Sequence, residues 1–153
     1  MNKILLGWRE WVSLPDLGID AVKAKVDTGA RSSALHTFKL ETFSEDGVGK
    51  VRFWIHPDQH NLSVVKECMA TLLDERNVTD SGGHTELRPV ISTPVKLGAI
   101  TKHIEMTLTN RENMKFRMLL GRTAMLGDCI VDPEKSYLLG EPNKTASNTR
   151  EEL

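Results

Sequence analysis

The stretch Val22-Lys23-Ala24-Lys25-Val26-Asp27-Thr28-Gly29-Ala30 decides the reading of this chain. Val22, Ala24 and Val26 alternate with Lys23 and Lys25, the period of two that puts apolar side chains on one face of a half-buried strand and charged ones on the other. The strand runs straight into Asp27-Thr28-Gly29, so a carboxylate is delivered at a strand end beside a glycine free to take a tight backbone conformation. That arrangement suits an exposed, oriented acid. It equally suits an ordinary β-turn, because aspartate and glycine are common turn residues.

Outward from this point the same alternation recurs. Val51, Phe53 and Ile55 oppose Arg52, and Ile100, Ile104, Met106 and Leu108 alternate with Thr101, His103, Glu105, Thr107 and Thr109. Asn110 to Asn113 supplies turn residues, after which Met114, Phe116, Met118 and Leu120 resume the pattern, so Ile100 to Leu120 reads as a long hairpin. Leu87 to Leu97 alternates too, but Pro89 and Pro94 remove ladder donors and predict a sheet edge. Val64 to Leu73 fits strand or helix. Arg122 to Leu126, stopped by Gly127, predicts the one short helix of an otherwise all-β chain.

A length of 153 residues supports one core but not two similar lobes. The expected domain spans residues 1–139, and the polar stretch 140–153 reads as a flexible tail. Lysine plus arginine (20) nearly balance aspartate plus glutamate (21) and are spread along the chain, which argues against a nucleic-acid or membrane-surface binder and for a small or peptide ligand. Trp8, Arg9 and Glu10 interrupt the apolar start before a leader forms, and no spanning segment follows, so the expected location is cytoplasmic. Cys68 and Cys129 read as two buried thiols in a reducing compartment.

A second element joins the first. Leu119-Leu120-Gly121-Arg122 closes a buried strand with a glycine and opens the short helix. Aspartic peptidases resemble this pairing: in them an apolar-apolar-Gly strand passes beside the Asp-Thr-Gly loop and pins it, and retroviral-type members often follow that glycine with arginine. The segments Gly7 to Val12, Lys23 to His36, Asp80 to Arg88, Leu120 to Met125 and Val131 to Leu138 are similar to those of the bacterial family labelled ATP-dependent zinc proteases. That family is regarded as retropepsin-like and is associated with ATP-grasp ligases resembling those that add glutamate to proteins. The resemblance implies an acid-protease barrel, an ATP-grasp ligase as functional partner, and a loop near Thr79 to Glu86 serving as flap or cleft wall.

The site follows from the same comparison. Asp27, Thr28 and Gly29 are the expected catalytic turn, with Ala30, Gly121 and Arg122 supporting it. One Asp-Thr-Gly per chain implies a symmetric homodimer that brings two Asp27 side chains together. Arg31, Arg76 and Arg88, with Ser81, Gly82, His84 and Glu86, are the expected substrate-binding set, since several guanidiniums facing one cleft suit a carboxylate-rich peptide or protein substrate. Taken singly, each arginine also fits a solvated or ion-paired surface residue, and His84 and Glu86 fit a structural role. Trp8 and Trp11 read as packing residues. No HExxH occurs, and Pro57 breaks any helix that would align His56 with His60, so no metal is expected. No phosphate-cradling GxxxxGK[ST] loop is present either, and no cofactor is expected. Three readings follow: an aspartic endopeptidase, a catalytically idle module that binds an acidic peptide or a ligase, and, last, the zinc hydrolase of the label.

Overall fold

In a computed structural model of the chain, residues 2–111 and 115–141 are described. They form strands β1 (Ile4–Leu6), β2 (Arg9–Leu14), β3 (Ile19–Asp27), β4 (Ser33–His36), β5 (Lys39–Glu45), β6 (Val48–Ile55), β7 (Lys66–Thr71), β8 (Asp74–Thr79), β9 (Thr85–Leu97), β10 (Ile100–Thr109), β11 (Met118–Gly121) and β12 (Cys129–Val131). The fold is all-β. The short helix expected at Arg122 is a single 3-10 turn, Arg122–Ala124, and a second such turn, Pro15–Leu17, starts at a proline and ends at Gly18 with φ 71°. The stretch 140–153 lies, from residue 142 onward, outside the described residues.

The main sheet has the order β10-β4-β11-β3-β2-β9-β8, and it closes on itself because β9 also pairs with β10. β5-β6-β7 form a separate meander, and β1 pairs in parallel with β12. The inward set is the one the alternation predicts: Val22, Ala24, Val51, Phe53, Ile55, Met106, Leu108, Met118 and Leu120 are all fully buried. A one-residue slip in any of these strands would turn that set to water, at about 1.5–3 kcal/mol for each large side chain.

Two expectations about pairing are corrected. Ile100 to Leu120 is not a hairpin, because β4 inserts between β10 and β11, parallel to the first and antiparallel to the second. Residues 112–114 of the supposed turn lie outside the described residues, and Phe116 is buried outside any strand. Inward alternation is satisfied whichever strand sits alongside, so periodicity found the strands and misjudged their neighbours. β10 instead forms a hairpin with β9, closed by Gly98-Ala99 with Gly98 at φ 61°, a left-handed conformation that suits a two-residue turn. β9 is likewise no edge: it carries ladders to β8, β2 and β10. Pro89 and Pro94 are accommodated because each faces a single partner, Glu75 and His103 respectively. Cys68 is buried as expected, whereas Cys129 is only half-buried.

Candidate active site

Asp27 is the last residue of β3 and pairs in register with Gly121, the last residue of β11. Its Oδ1 accepts from the amides of Gly29 (3.0 Å) and Ala30 (3.2 Å), which orients the carboxylate outward; Oδ2 has no protein partner among the described residues. Beyond Asp27 the loop is stitched to the turn after β11. The amides of Arg122 and Thr123 donate to the carbonyls of Ala30 (2.7 Å) and Arg31 (3.1 Å), and the Arg122 guanidinium donates to the Thr28 carbonyl (3.0 Å). Gly121 has to be glycine for this approach, since a Cβ there would lie 2.4 Å from the Ser32 carbonyl carbon. Its own amide donates to the buried hydroxyl of Ser33. Thr28 contributes through its carbonyl, with its side chain exposed.

One polar sheet face leads away from this loop. Arg76 on β8 lies directly across from Arg88 on β9, and Glu105, Thr107 and Thr109 of β10 share that face through Ser92 and Val90. Arg76 is held by Asp74 (2.9 Å) and Glu105 (2.8 Å), and the buried Arg88 by Glu86 (2.6 Å). Burial alone would raise the Glu86 carboxyl, but hydrogen bonds from Thr109 and Arg88 hold it below its ordinary range. Arg31 makes no side-chain hydrogen bond or ion pair among the described residues. It shares a recess of about 270 Å³ with Ser32, Arg76, His103, Ile104, Glu105 and Thr123.

The tip of the β8–β9 hairpin stands at the far end of β10, past Thr109. Ser81, Gly82 and His84 sit there, where Asp80 accepts from the Gly82 and His84 amides (2.9 Å each) and from Arg111 (3.0 Å). The expected substrate set is thus divided. Arg31 and Arg76 share a recess, Glu86 and Arg88 neutralise one another further along the face, Arg122 braces the Asp27 loop, and Ser81, Gly82 and His84 occupy the hairpin tip. Sequence reading missed Ser33, Thr123, Glu105 and Arg111, whose roles come from strands it did not pair. It also missed Glu10, a buried carboxylate that accepts from the amides of Gly7 (2.6 Å), Leu138 (3.0 Å) and Leu139 (3.0 Å).

Larger recesses of about 600, 530 and 320 Å³ open beside β7, beside Trp11 and Lys66, and beside Gly98 and Leu139; none of these is lined by the Asp27 loop. Trp8 packs edge-on against Phe116, and Trp11 stacks on Tyr137, as packing residues do. No three His, Cys, Asp or Glu side chains converge among the described residues. Burial pushes the Cys68 thiol up to about 11, and its S–H donates to the Leu17 carbonyl. No helix among the described residues is long and apolar enough to cross a membrane.

The family model described as "Retropepsin-like aspartic endopeptidase RimB" matches residues 5–142. A protein named probable alpha-L-glutamate ligase from Shewanella halifaxensis is 42% identical over 142 residues, covering 93% of this chain but 31% of that one. One of the same name from Parasynechococcus marenigrum is 47% identical over 140 residues, covering 92% of this chain and 30% of its own length. This chain therefore spans under a third of those relatives. The crystal structure of Lpg0085, a protein of unknown function from Legionella pneumophila, superposes with a TM-score of 0.72 at 25% identity, over 90% of this chain and 99% of that one. With its fold, its strand-end acid and a family match across nearly its whole length, the chain belongs to the RimB-like family of retropepsin-like aspartic endopeptidases.

Proposed function

We propose that this chain hydrolyses peptide bonds as an aspartic endopeptidase, with one Asp27 from each of two copies forming the catalytic dyad and an acidic, glutamate-rich peptide as substrate. The observation that carries the reading is the Asp27 carboxylate itself, fixed through Oδ1 by two loop amides while Oδ2 has no protein partner among the described residues. Two such carboxylates about 3 Å apart share one proton. The ionised one takes a proton from a bound water, whose oxygen adds to the substrate carbonyl carbon as the protonated one donates to the carbonyl oxygen. Collapse of the tetrahedral diol then breaks the C–N bond as the carboxyl that took the water's proton gives it to the leaving nitrogen. The other carboxylate takes a proton from a diol hydroxyl, which restores the singly protonated dyad.

The acidic substrate is supported by the arginine-bearing face beside this loop and by the relatives in which a similar region forms part of a chain named as a glutamate ligase. That same fusion favours a second reading, in which the domain only holds an acidic tail or the ligase itself. Asp27→Asn separates them. The amide matches the carboxylate in size but cannot act as base, so hydrolysis of a glutamate-rich peptide should disappear while circular dichroism and peptide binding persist. The wild-type pH profile should be bell-shaped, with both limbs belonging to the dyad. Hydrolysis that survives Asp27→Asn would move the chemistry elsewhere, and binding without any hydrolysis by the wild type would leave the holding module.

A further inference from the structure

The arginines near the Asp27 loop are not equivalent. Arg88 is 9% exposed and bound to Glu86, Arg122 is turned onto the Thr28 carbonyl, and Arg76 is fixed between Asp74 and Glu105. Arg31 alone among them is both exposed and without a side-chain partner among the described residues. We propose that its recess is a single-residue carboxylate subsite, in which Arg31 takes the side-chain carboxylate of one glutamyl residue bound beside Asp27. This rests on the acidic-substrate reading above and says which group does the recognising.

Size and position both point this way. At about 270 Å³ the recess is below the roughly 300–1,000 Å³ of pockets that take whole small molecules, so it fits one side chain of an extended peptide. The Thr123 amide and hydroxyl both donate to the Arg31 carbonyl, at 3.1 and 2.9 Å, which ties the reading residue to the turn that follows Gly121. Gly121 in turn pairs with Asp27. Acid and guanidinium are therefore carried on one stitched loop, and a carboxylate docked on Arg31 sets the register of the chain across the acid. Glu105 also lines the recess but is engaged by Arg76, which Asp74 holds as well, so Arg31 is the lining guanidinium without an ion pair among the described residues. Arginine's planar fork matches a carboxylate and finds no equivalent match in the amide of glutamine.

The test measures binding apart from turnover, using the full chain carrying Asp27→Asn and calorimetry with acetylated, amidated hexaglutamate and hexaglutamine. Hexaglutamate should bind at least about ten-fold tighter, the low end for a charged hydrogen bond, and adding Arg31→Gln should reduce that preference to about two-fold or less. Arg31→Lys, which keeps the charge without the fork, should fall between them and guards against a Gln variant that folds poorly. Arg52→Gln, a charge change on the β5-β6-β7 meander, should keep the preference. A free-acid hexaglutamine that binds as tightly as amidated hexaglutamate, and in an Arg31-dependent way, would show that the recess reads a chain end and overturn the side-chain assignment. So would a preference untouched by Arg31→Gln. Arg31-dependent binding with no hydrolysis by the wild type would remove the peptidase and leave the subsite. Equal hydrolysis of glutamyl and glutaminyl peptides would do the reverse.

Discussion

A methyl group added at Gly121 would sit 2.4 Å from the Ser32 carbonyl carbon and 2.5 Å from its oxygen, and backbone cannot swing aside as the end of a side chain can. Gly121→Ala should therefore cost about 1–3 kcal/mol in urea unfolding and displace the Asp27 loop. Gly49→Ala, where the nearest atom would be a Leu72 side-chain carbon at 3.5 Å, should change stability by about 0.5 kcal/mol or less. A loss at Gly121 no larger than at Gly49 would mean the two strands do not meet as described. Glu10 makes the complementary case. Its carboxylate accepts from three backbone amides while fully buried, so Glu10→Gln, which turns an NH₂ toward those donors, should cost roughly 1.5–3 kcal/mol and loosen the chain around Leu138 and Leu139. Hydrogen exchange at those two amides is the readout, and unchanged protection would refute the clasp. The resemblance already marked Gly121 as loop-supporting, whereas the Glu10 role could not be read in advance: a glutamate looks like a surface charge until its partners are known.

At the scale of elements, the β8–β9 hairpin is pinned at its tip by Asp80 to Arg111 and, close to the tip, by Glu86 to Thr109. The hydrogen bond from Arg111 lowers the Asp80 carboxyl from 3.8 to about 2, so this contact is complete above the ordinary carboxylate range and is lost only as pH falls through about 2. Arg111→Gln should quicken exchange of the Gly82, Gly83 and His84 amides while leaving β9–β10 protected; equal exchange in both proteins would show that the tip is held by its own turn. Below that hairpin, His36 at the end of β4 gives the same sign of pH dependence from the opposite cause, a folded state that disfavours the charged form. Burial pushes its ring below 6.5, and Arg88, Arg111 and Arg117 add to this, against the Arg111 carbonyl that contacts Nδ1 and raises it. The unfolded chain then takes up a proton that the folded chain refuses, so stability should be full above 6.5 and decline as pH falls below it. His36→Gln should flatten that decline in urea midpoints. A slope unaffected by the substitution would assign it to other groups.

For the whole molecule the decisive question is assembly, since one chain carries one Asp27 turn and the proposed dyad requires two. Specific activity should fall on dilution faster than protein concentration, in step with loss of dimer in sedimentation; activity strictly proportional to concentration in a demonstrated monomer would end the dyad. The amino-acid sequence by itself determined the all-β class and most of the inward set of the alternating strands, and the resemblance it carries marked the two segments, Asp27 to Ala30 and Leu119 to Arg122, that meet in the fold. These are legible because strand periodicity and turn chemistry are local properties, carried by neighbours in the chain. Which strands lie side by side was decided only in tertiary structure: β4 between β10 and β11, β9 within the sheet despite Pro89 and Pro94, and hence Ser33 under Gly121 and Glu10 against Leu138 and Leu139. The same packing separated arginines that look alike in sequence, committing Arg76 to Glu105 and Arg88 to Glu86 and leaving Arg31 without a side-chain partner among the described residues. An alternating strand satisfies its own pattern beside any partner, so the choice of partner, and with it the charge each side chain meets, is set by how the whole core closes.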